Sequence, residues 1–459
     1  MRDRVKTRSR REIPAVSKVL DALGHYDFSH PVIVDLVRRE LATIRAGAEI
    51  PEFESIVDSV RCSLANLRAT RLQPVINGTG IVIHTNLGRA PLAPEAVRAL
   101  SEAGSTYSNL EYDLTSGERG SRGTYIENAL ALLCGAESAT AVNNCAAALV
   151  LIVRYFARTK REVVISRGEI VQIGGGFRIG EIIESLGVKL REVGATNKTT
   201  LNDYAKATGS STALILKVHR SNFFMSGFVE SPASEAIAAL ARKKRIPFVE
   251  DLGSGAIFAT ERLGLAEHEP TPAEVLKNGV DLVCFSGDKL FGGPQAGIIA
   301  GKKRFVSALK REPLFRALRC DKLVFAALQA TVDLHLNQSI SEIPALALLQ
   351  VSEDKLRARA AAICARLRRR HSGVQVAIGR GAVKVGGGTL PKSTMSSVTI
   401  DIVSENCSLA DFAARLRASR PPVIGHIANK RLKLDLRTIF PHQDDLVVNA
   451  IRSVSRSAQ

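Results

Sequence analysis

The sequence has no tryptophan, three methionines and seven cysteines, and no two cysteines form a CxxC pair. Disulfide frameworks and zinc sites usually draw on closely spaced cysteines, so neither is expected and no metal is predicted. Scattered, unpaired cysteines are typical of a reducing compartment, and we expect a cytoplasmic protein.

Long apolar runs are also missing from the sequence. No stretch approaches the roughly 20 residues that cross a bilayer. The basic N-terminal segment is not followed by an apolar core or a small-residue cleavage site. We therefore predict neither a membrane span nor a secretory signal.

Acidic residues are fewer than basic ones, 45 against 63, which gives a formal net charge of +18. A field of this sign attracts polyphosphates, and nucleic acid is the leading class of partner. A solvated, arginine-rich surface explains the charge equally well.

The hydrophobic pattern divides the chain into three segments. Residues 1–70 show short amphipathic helices and predict a small helical domain. Residues 71–344 alternate short β-branched runs with helical stretches, which is typical of a mostly parallel sheet covered by helices. Residues 345–459 mix helices at 354–371 and 409–418 with short strands at 397–403 and 431–436, and predict a smaller α+β domain. The predicted fold class is therefore α/β.

The strands predicted for the middle segment are 139–142, 162–166, 189–193, 213–218, 247–251, 280–285 and 297–300. The basic residues of the first segment, which suit a phosphate backbone or a solvated face, are Arg8, Arg10, Arg11, Lys18, Arg38, Arg39, Arg61, Arg68 and Arg71.

The most informative stretch is Ser286-Gly287-Asp288-Lys289, which follows an apolar predicted strand. A lysine on such a small-residue turn, with Asp251 at the end of an earlier strand, predicts a pyridoxal phosphate (PLP) site. Lys289 would hold the cofactor aldehyde as a Schiff base, and Asp251 would keep the pyridine nitrogen protonated. The alternatives are a surface lysine and a helix N-cap aspartate.

A phosphate-binding helix start is predicted at Asn143-Asn144-Cys145-Ala146, directly after a strand. Unpaired N–H groups at a helix N-terminus bind phosphate, and Ser286 can contact a phosphate oxygen as well. The order of helix start, aspartate and lysine along the chain is that of the aspartate-aminotransferase-like PLP fold, fold type I.

Several motifs of the chain resemble the bacterial L-seryl-tRNA(Sec) selenium transferase (selenocysteine synthase) family over nearly its whole length. They are INGTG at 76–80, HTNLGRA at 84–90, YSNLEYDL at 107–114, GERGSR at 117–122, KVH at 217–219, SGDK at 286–289, GPQAGII at 293–299, VGGGTLP at 385–391 and PVIG at 422–425. Two departures are Arg220, where the resemblance predicts threonine, and Cys145 in the helix start.

The resemblance implies a cytoplasmic PLP enzyme that converts serine on tRNA(Sec) into selenocysteine, with selenophosphate as the selenium donor and a dehydroalanyl-tRNA intermediate. It implies that Lys289 removes the Cα proton, and Asp288 is placed beside it to protonate the departing hydroxyl. It also implies a tRNA-binding N-terminal domain and a homo-oligomer built from dimers, a homodecamer. The segment 117–122 is then a flexible loop or an anion-binding nest near a neighbouring subunit's site.

The resemblance further implies a selenophosphate pocket lined by Arg89, Arg316 and Arg319. Spaced three residues apart, Arg316 and Arg319 are predicted to share one helix face, either for phosphate or as a surface ion-pair site. Asn222 is expected to reach the cofactor's phenolic oxygen.

Two other functions stay open from the residues alone. One is a PLP-dependent lyase of a small amino acid or amino sugar phosphate, for which a basic helical domain has little use. The other is a nucleic-acid-binding protein that keeps a degenerate PLP fold, which the intact Asp251 and Lys289 disfavour.

Overall fold

The computed structural model describes residues 12–456 except 48, 173, 177 and 369–372. Contacts within the chain define two units, residues 1–75 with 420–422, and residues 76–419 with 423–459. The predicted domain boundaries at 70 and 344 stay predictions. No helix among the described residues is long and apolar enough to span a membrane.

The elements follow in chain order. The strands are β1 Ile76–Asn77, β2 Ile81–Ile83, β3 Ser138–Val142, β4 Glu162–Ser166, β5 Lys189–Val193, β6 Thr212–Val218, β7 Phe248–Gly253, β8 Leu282–Ser286, β9 Gly297–Gly301, β10 Val374–Gly386, β11 Thr389–Ser404, β12 Val423–Ile424, β13 His426–Ala428 and β14 Arg431–Asp435. The helices are α1 Val16–Leu23, α2 His30–Ala46, α3 Phe53–Ala69, α4 Pro94–Ser105, α5 Thr124–Leu133, α6 Cys145–Phe156, α7 Ile179–Glu184, α8 Leu201–Ala207, α9 Ser234–Lys244, α10 Pro272–Lys277, α11 Lys303–Lys310, α12 Pro313–Leu318, α13 Lys322–Leu336, α14 Pro344–Gln350, α15 Glu353–Arg368, α16 Leu409–Arg417 and α17 Asp444–Arg456.

The first unit contains α1, α2 and α3, which bury one apolar stripe each in a shared core. Several of its basic side chains pair with acids on the surface: Arg39 with Asp35, Arg61 with Asp58, and both Arg68 and Arg71 with Asp27. The predicted basic residues Arg8, Arg10 and Arg11 lie outside the described residues.

The main sheet of the second unit has seven strands in the order β3-β9-β8-β7-β6-β4-β5. Neighbours from β8 to β5 run parallel, and β9 is antiparallel to both of its partners. All seven correspond to predicted strands. They were readable because strands buried on both faces are near-continuous apolar runs, as in β8, where every residue is buried.

A second sheet in this unit has the order β13-β14-β11-β10-β2. Its long hairpin of β10 and β11 was only partly predicted. The predicted strand at 397–403 lies within β11, and no strand was predicted at β10. Two glycines interrupt the apolar pattern of β10, and each leaves room for a buried carboxylate: Gly379 for Asp401 and Gly381 for Asp435. Their function is therefore close packing, which single-sequence periodicity does not reveal.

Candidate active site

The turn that carries Lys289 is held by backbone hydrogen bonds on both sides. The Gly287 N–H donates to the Ala296 carbonyl at 2.8 Å, and the Leu290 N–H donates to the Ser254 carbonyl at 3.0 Å. Lys289 is half-buried, and its Nζ has no hydrogen-bond partner within the described part of the chain. The turn therefore presents an unpaired amine in a fixed place.

Asp251 lies near the end of β7, one strand away from this turn. Its Oδ1 accepts the Gly253 N–H at 3.0 Å and the Cys145 thiol at 3.5 Å. Burial raises the pKa of Asp251, and the positive charge of Lys289 offsets part of this rise. A buried carboxylate of this kind is stabilised by a cation placed against it.

The start of helix α6 forms another wall of the site. Asn144 is its N-cap, and the Asn144 side chain accepts the Ala147 N–H at 2.8 Å. Gly297 of β9 passes so close that a Cβ there would collide with the Asn144 carbonyl. The positive end of the helix dipole and the first-turn N–H groups are thus held at the carboxyl edge of the sheet.

These elements surround a cavity of about 460 Å³. Of the predicted site residues, it is lined by Arg89, Asn144, Cys145, Ala146, Asn222, Asp251, Ser286, Asp288 and Lys289. Asn143, Arg316 and Arg319 are not among its lining residues. Strands β6, β7 and β8 all end at this cavity, where parallel sheets usually bind ligands.

Arg89 and Asp288 form an ion pair inside the cavity, with Nη1 of Arg89 2.6 Å from Oδ2 of Asp288. The other oxygen of Asp288, Oδ1, is buried and has no hydrogen-bond partner among the described residues. Arg89 holds a left-handed backbone conformation, with φ of 66°, which is uncommon for a residue other than glycine. Such strain is typical of residues whose side-chain position matters.

The predicted shared helix face of Arg316 and Arg319 is wrong. Helix α12 ends at Leu318, and Arg319 is extended, with ψ of 145°. The helix ends there because the Asn143 N–H donates a hydrogen bond to the Leu318 carbonyl and Arg319 forms an isolated β-bridge with Val142. Arg316 is exposed, and the predicted binding of selenophosphate by both arginines stays a prediction.

Arg319 belongs to a separate arginine cluster around Glu111. Arg119, Arg122 and Arg319 all contact this carboxylate, at 2.9, 2.7 and 3.1 Å. The hydrogen bond from Arg122 is the main reason that the pKa of Glu111 is lowered. Three guanidinium groups around one carboxylate leave an excess of positive charge on this surface.

Several lining residues were not singled out for the cavity from the sequence. They are Thr85, Ser221, Gln295, Gly387 and Gly388. Two of them, Gly387 and Gly388, belong to the glycine run at 386–388, which is visible in the sequence. Gly388 approaches Asn222 so closely that a Cβ added to it would lie 3.0 Å from Asn222 Cβ. Asn222 Nδ2 itself donates to the Gln172 carbonyl at 2.8 Å.

His219 also lines the cavity, and its imidazole pairs with Glu269, which does not line the cavity. His219 Nε2 lies 3.3 Å from Oε2 of the buried Glu269. Burial lowers the pKa of His219, but the hydrogen bond and charge of Glu269 outweigh it, so the net shift is upward. His219 belongs to the KVH motif at 217–219, one of the motifs that carry the family resemblance.

The residues of the cavity fit PLP in three respects. Lys289 offers an unpaired amine for the aldehyde, and Asp251 offers a buried carboxylate that a pyridinium nitrogen would stabilise. The start of α6 offers N–H groups for the phosphate. The chemistry of this donor set therefore agrees with the cofactor predicted from the sequence.

Comparison with known proteins identifies relatives over nearly the whole chain. A family model described as L-seryl-tRNA selenium transferase matches residues 75–440. The L-seryl-tRNA(Sec) selenium transferase of Carboxydothermus hydrogenoformans is 43% identical over 446 residues, which cover 95% of each chain. The protein of the same name from Hyphomonas neptunium is 42% identical over 438 residues, covering 93% of this chain and 94% of the relative.

Among solved structures, D-glucosaminate-6-phosphate ammonia-lyase is similar with a TM-score of 0.56 and 21% identity. The match covers 84% of this chain and 97% of that chain. This likeness concerns the fold alone. Together with the sheet order, it confirms the predicted aspartate-aminotransferase-like fold.

Proposed function

Because the chain belongs to the L-seryl-tRNA selenium transferase family, we propose that the cavity around Lys289 is where serine esterified to tRNA(Sec) becomes selenocysteine. The chain is an enzyme, its cofactor is PLP, and tRNA(Sec) carries its substrate. The observation that carries the placement of the reaction is the convergence of Lys289, Asp251 and the start of α6 on one cavity.

Three groups of the chain would hold the cofactor. The start of α6 at Asn144, Cys145 and Ala146 would bind its phosphate, Asp251 its ring nitrogen and Lys289 its aldehyde carbon. When bound, PLP supplies an electron sink for the electron pair released at the seryl Cα.

The chain's own residues then handle the protons. Lys289 accepts the Cα proton, since its amine has no competing hydrogen bond among the described residues. Asp288 relays this proton: its Oδ1, the oxygen that Arg89 does not contact, takes the proton from the Lys289 ammonium and passes it to the β-hydroxyl, which departs as water. Arg89 orients Asp288 for this transfer.

Selenophosphate is the proposed selenium donor, and Arg89 is the guanidinium group in the cavity that can attract it. The arginine cluster around Glu111 supports a second anion-binding surface, which agrees with a role for Arg319 toward phosphate. Arg316 is exposed, and its place with Arg89 and Arg319 in the selenophosphate pocket stays a prediction.

We also propose a homo-oligomer built from dimers, up to a decamer, in the cytoplasm. Large apolar side chains between residues 107 and 132 are exposed, namely Tyr107, Tyr112, Leu114, Tyr125 and Leu132. A second copy that covers them explains their exposure. The helical first unit and the net charge of +18 support a tRNA-binding role for that unit.

The decisive experiment mixes purified protein with seryl-tRNA(Sec) and selenophosphate and identifies the aminoacyl group. We expect selenocysteine with the wild-type chain and a loss of at least about 10²–10⁴-fold in rate with Lys289→Ala. Lys243→Ala, on the exposed side of α9, is the matched control and should react normally. Unchanged serine with PLP bound would overturn the proposed reaction.

A further inference from the structure

Two cysteines that are 139 residues apart in sequence, 284 − 145, meet beside Asp251. Cys284 of β8 is the direct neighbour of Asp251 across the parallel β7–β8 pair. Cys145 begins α6, and its thiol contacts Asp251 Oδ1 at 3.5 Å. The two Sγ atoms and the carboxylate oxygen all lie within 4.8 Å of one another.

From this geometry we infer that Cys145, Asp251 and Cys284 form a binding site for a thiophilic divalent cation such as Zn²⁺. Zinc binds thiolates at about 2.3 Å and carboxylate oxygens at about 2.0–2.2 Å in tetrahedral sites. Ligand atoms of one zinc ion are therefore about 3.3–3.8 Å apart, so small side-chain rotations bring this cluster to the required spacing.

The surroundings of the cluster favour a soft cation over a hard one. Two sulfur ligands and one carboxylate suit Zn²⁺ or Cd²⁺, whereas Mg²⁺ and Ca²⁺ prefer oxygen ligands only. Cys284 is fully buried in an apolar layer, and Cys145 faces the cavity, which gives the ion its entry path. Binding displaces the two thiol protons to solvent.

Ion and cofactor then compete for the same carboxylate. A cation held by Asp251 removes the partner of the cofactor's ring nitrogen and occupies the wall of the cavity. This competition rests on the proposed cofactor role of Asp251, whereas the cation site rests on the three ligand atoms alone. Thiophilic metals are accordingly inhibitors of cofactor loading in this chain.

The test uses the full-length apoprotein and Cd²⁺, whose bonds to thiolates absorb in the ultraviolet. We expect one Cd²⁺ per chain with a thiolate absorption band, and at least about tenfold weaker binding in Cys145→Ser. Serine keeps a donor for Asp251 and removes only the sulfur ligand. Cys62→Ser removes the exposed cysteine of the first unit and should bind Cd²⁺ in the cavity as before.

A second measurement follows PLP loading of the same apoprotein. One equivalent of Cd²⁺ should slow loading in the wild-type chain at least about tenfold and leave Cys145→Ser nearly unaffected. In the wild-type chain Cd²⁺ should also protect Cys145, and not Cys62, from alkylation, which needs no variant.

Equal Cd²⁺ affinity in the wild-type chain and Cys145→Ser, or an unprotected Cys145, would overturn the cation site. Cadmium bound through the thiols without any effect on PLP loading would overturn the competition. Failure of PLP to bind the metal-free apoprotein would instead count against the proposed function, and the Cd²⁺ titration would still decide the cation site.

Discussion

Arg89 and Asp288, which are 199 residues apart in sequence, are joined by a 2.6 Å hydrogen bond from Nη1 to Oδ2. The backbone joins them as well, because the Ala90 N–H donates to the Asp288 carbonyl at 3.2 Å. These two contacts hold the segment after β2 against Asp288, the residue that precedes Lys289. Asp288 is 10% exposed and Arg89 29%, so water screens this pair only partly.

Arg89→Met is expected to lower the free energy of unfolding by about 1–3 kcal/mol, because Asp288 would keep a buried charge without its main partner. Arg89→Lys should lose less, since it keeps the charge. Chemical denaturation of the three apoproteins measures the difference. Arg98→Met breaks an exposed pair with Glu95 and should change stability little, so an equal loss in both variants would contradict the expectation.

Asp288→Asn is expected to lower kcat by about 10²–10⁴-fold with little change in KM for seryl-tRNA, because the amide keeps the side chain's shape but cannot relay a proton to the departing hydroxyl. Steady-state kinetics with both substrates measure this split. A variant with unchanged kcat would rule out proton transfer by Asp288.

Asp251→Asn is expected to weaken cofactor binding and to stabilise the apoprotein. An amide makes a weaker hydrogen bond to a pyridinium, so PLP affinity should fall by about 10- to 150-fold, the equivalent of about 1.5–3 kcal/mol. The apoprotein should become more stable at neutral pH, since burial raises the pKa of this carboxyl and the substitution removes the buried charge. Equilibrium PLP titration and apoprotein unfolding give the two values, and a parallel loss of both would contradict this role.

Gly297→Ala is expected to reduce both the melting temperature and PLP occupancy. The new Cβ would collide with the Asn144 carbonyl and push the start of α6 away from β9. Gly209→Ala is the matched control, because its Cβ would meet no atom within 4 Å. The control should be unchanged or gain up to about 1 kcal/mol from a less flexible unfolded chain.

Glu169 should make stability depend on pH in a defined window. It accepts the Val218 N–H at 3.2 Å behind the cavity, and burial is the main cause that raises its pKa from 4.5 to about 7. Between these values the unfolded chain has lost the proton that the folded chain keeps, so this contribution to stability falls as pH rises from about 4.5 to about 7.

Across this pH window, ionisation of Glu169 lowers the free energy of unfolding by on the order of 3 kcal/mol at most. Glu169→Gln should remove this part of the pH dependence, as measured by denaturation across the window. Glu184→Gln, an exposed change on α7, should leave the slope as it is. The same slope in the wild-type chain and Glu169→Gln would show that the carboxyl is ionised in the folded protein.

Much of the main sheet could be predicted from the sequence because its strands are short, apolar on both faces and bounded by turn residues. The strand β4 was predicted with its observed limits, Glu162–Ser166. The candidate residues Lys289 and Asp251 were also recognisable, since each follows or ends such a strand. In β10 the alternation is broken by glycines that leave room for carboxylates of other strands, Asp401 of β11 and Asp435 of β14, and the local sequence pattern does not reveal these contacts.

By itself the sequence determined the α/β architecture, the family resemblance and the residue types needed for PLP, because these depend on local periodicity and contiguous motifs. Only the tertiary structure decided which side chains share one cavity. It paired Arg89 with Asp288, set Cys145 and Cys284 against Asp251, and placed Arg319 beside Glu111 instead of on the helix face of Arg316. Such contacts join residues from 33 to 208 positions apart, as Asp251 to Cys284 and Glu111 to Arg319 show, and only the packing of the elements brings them together.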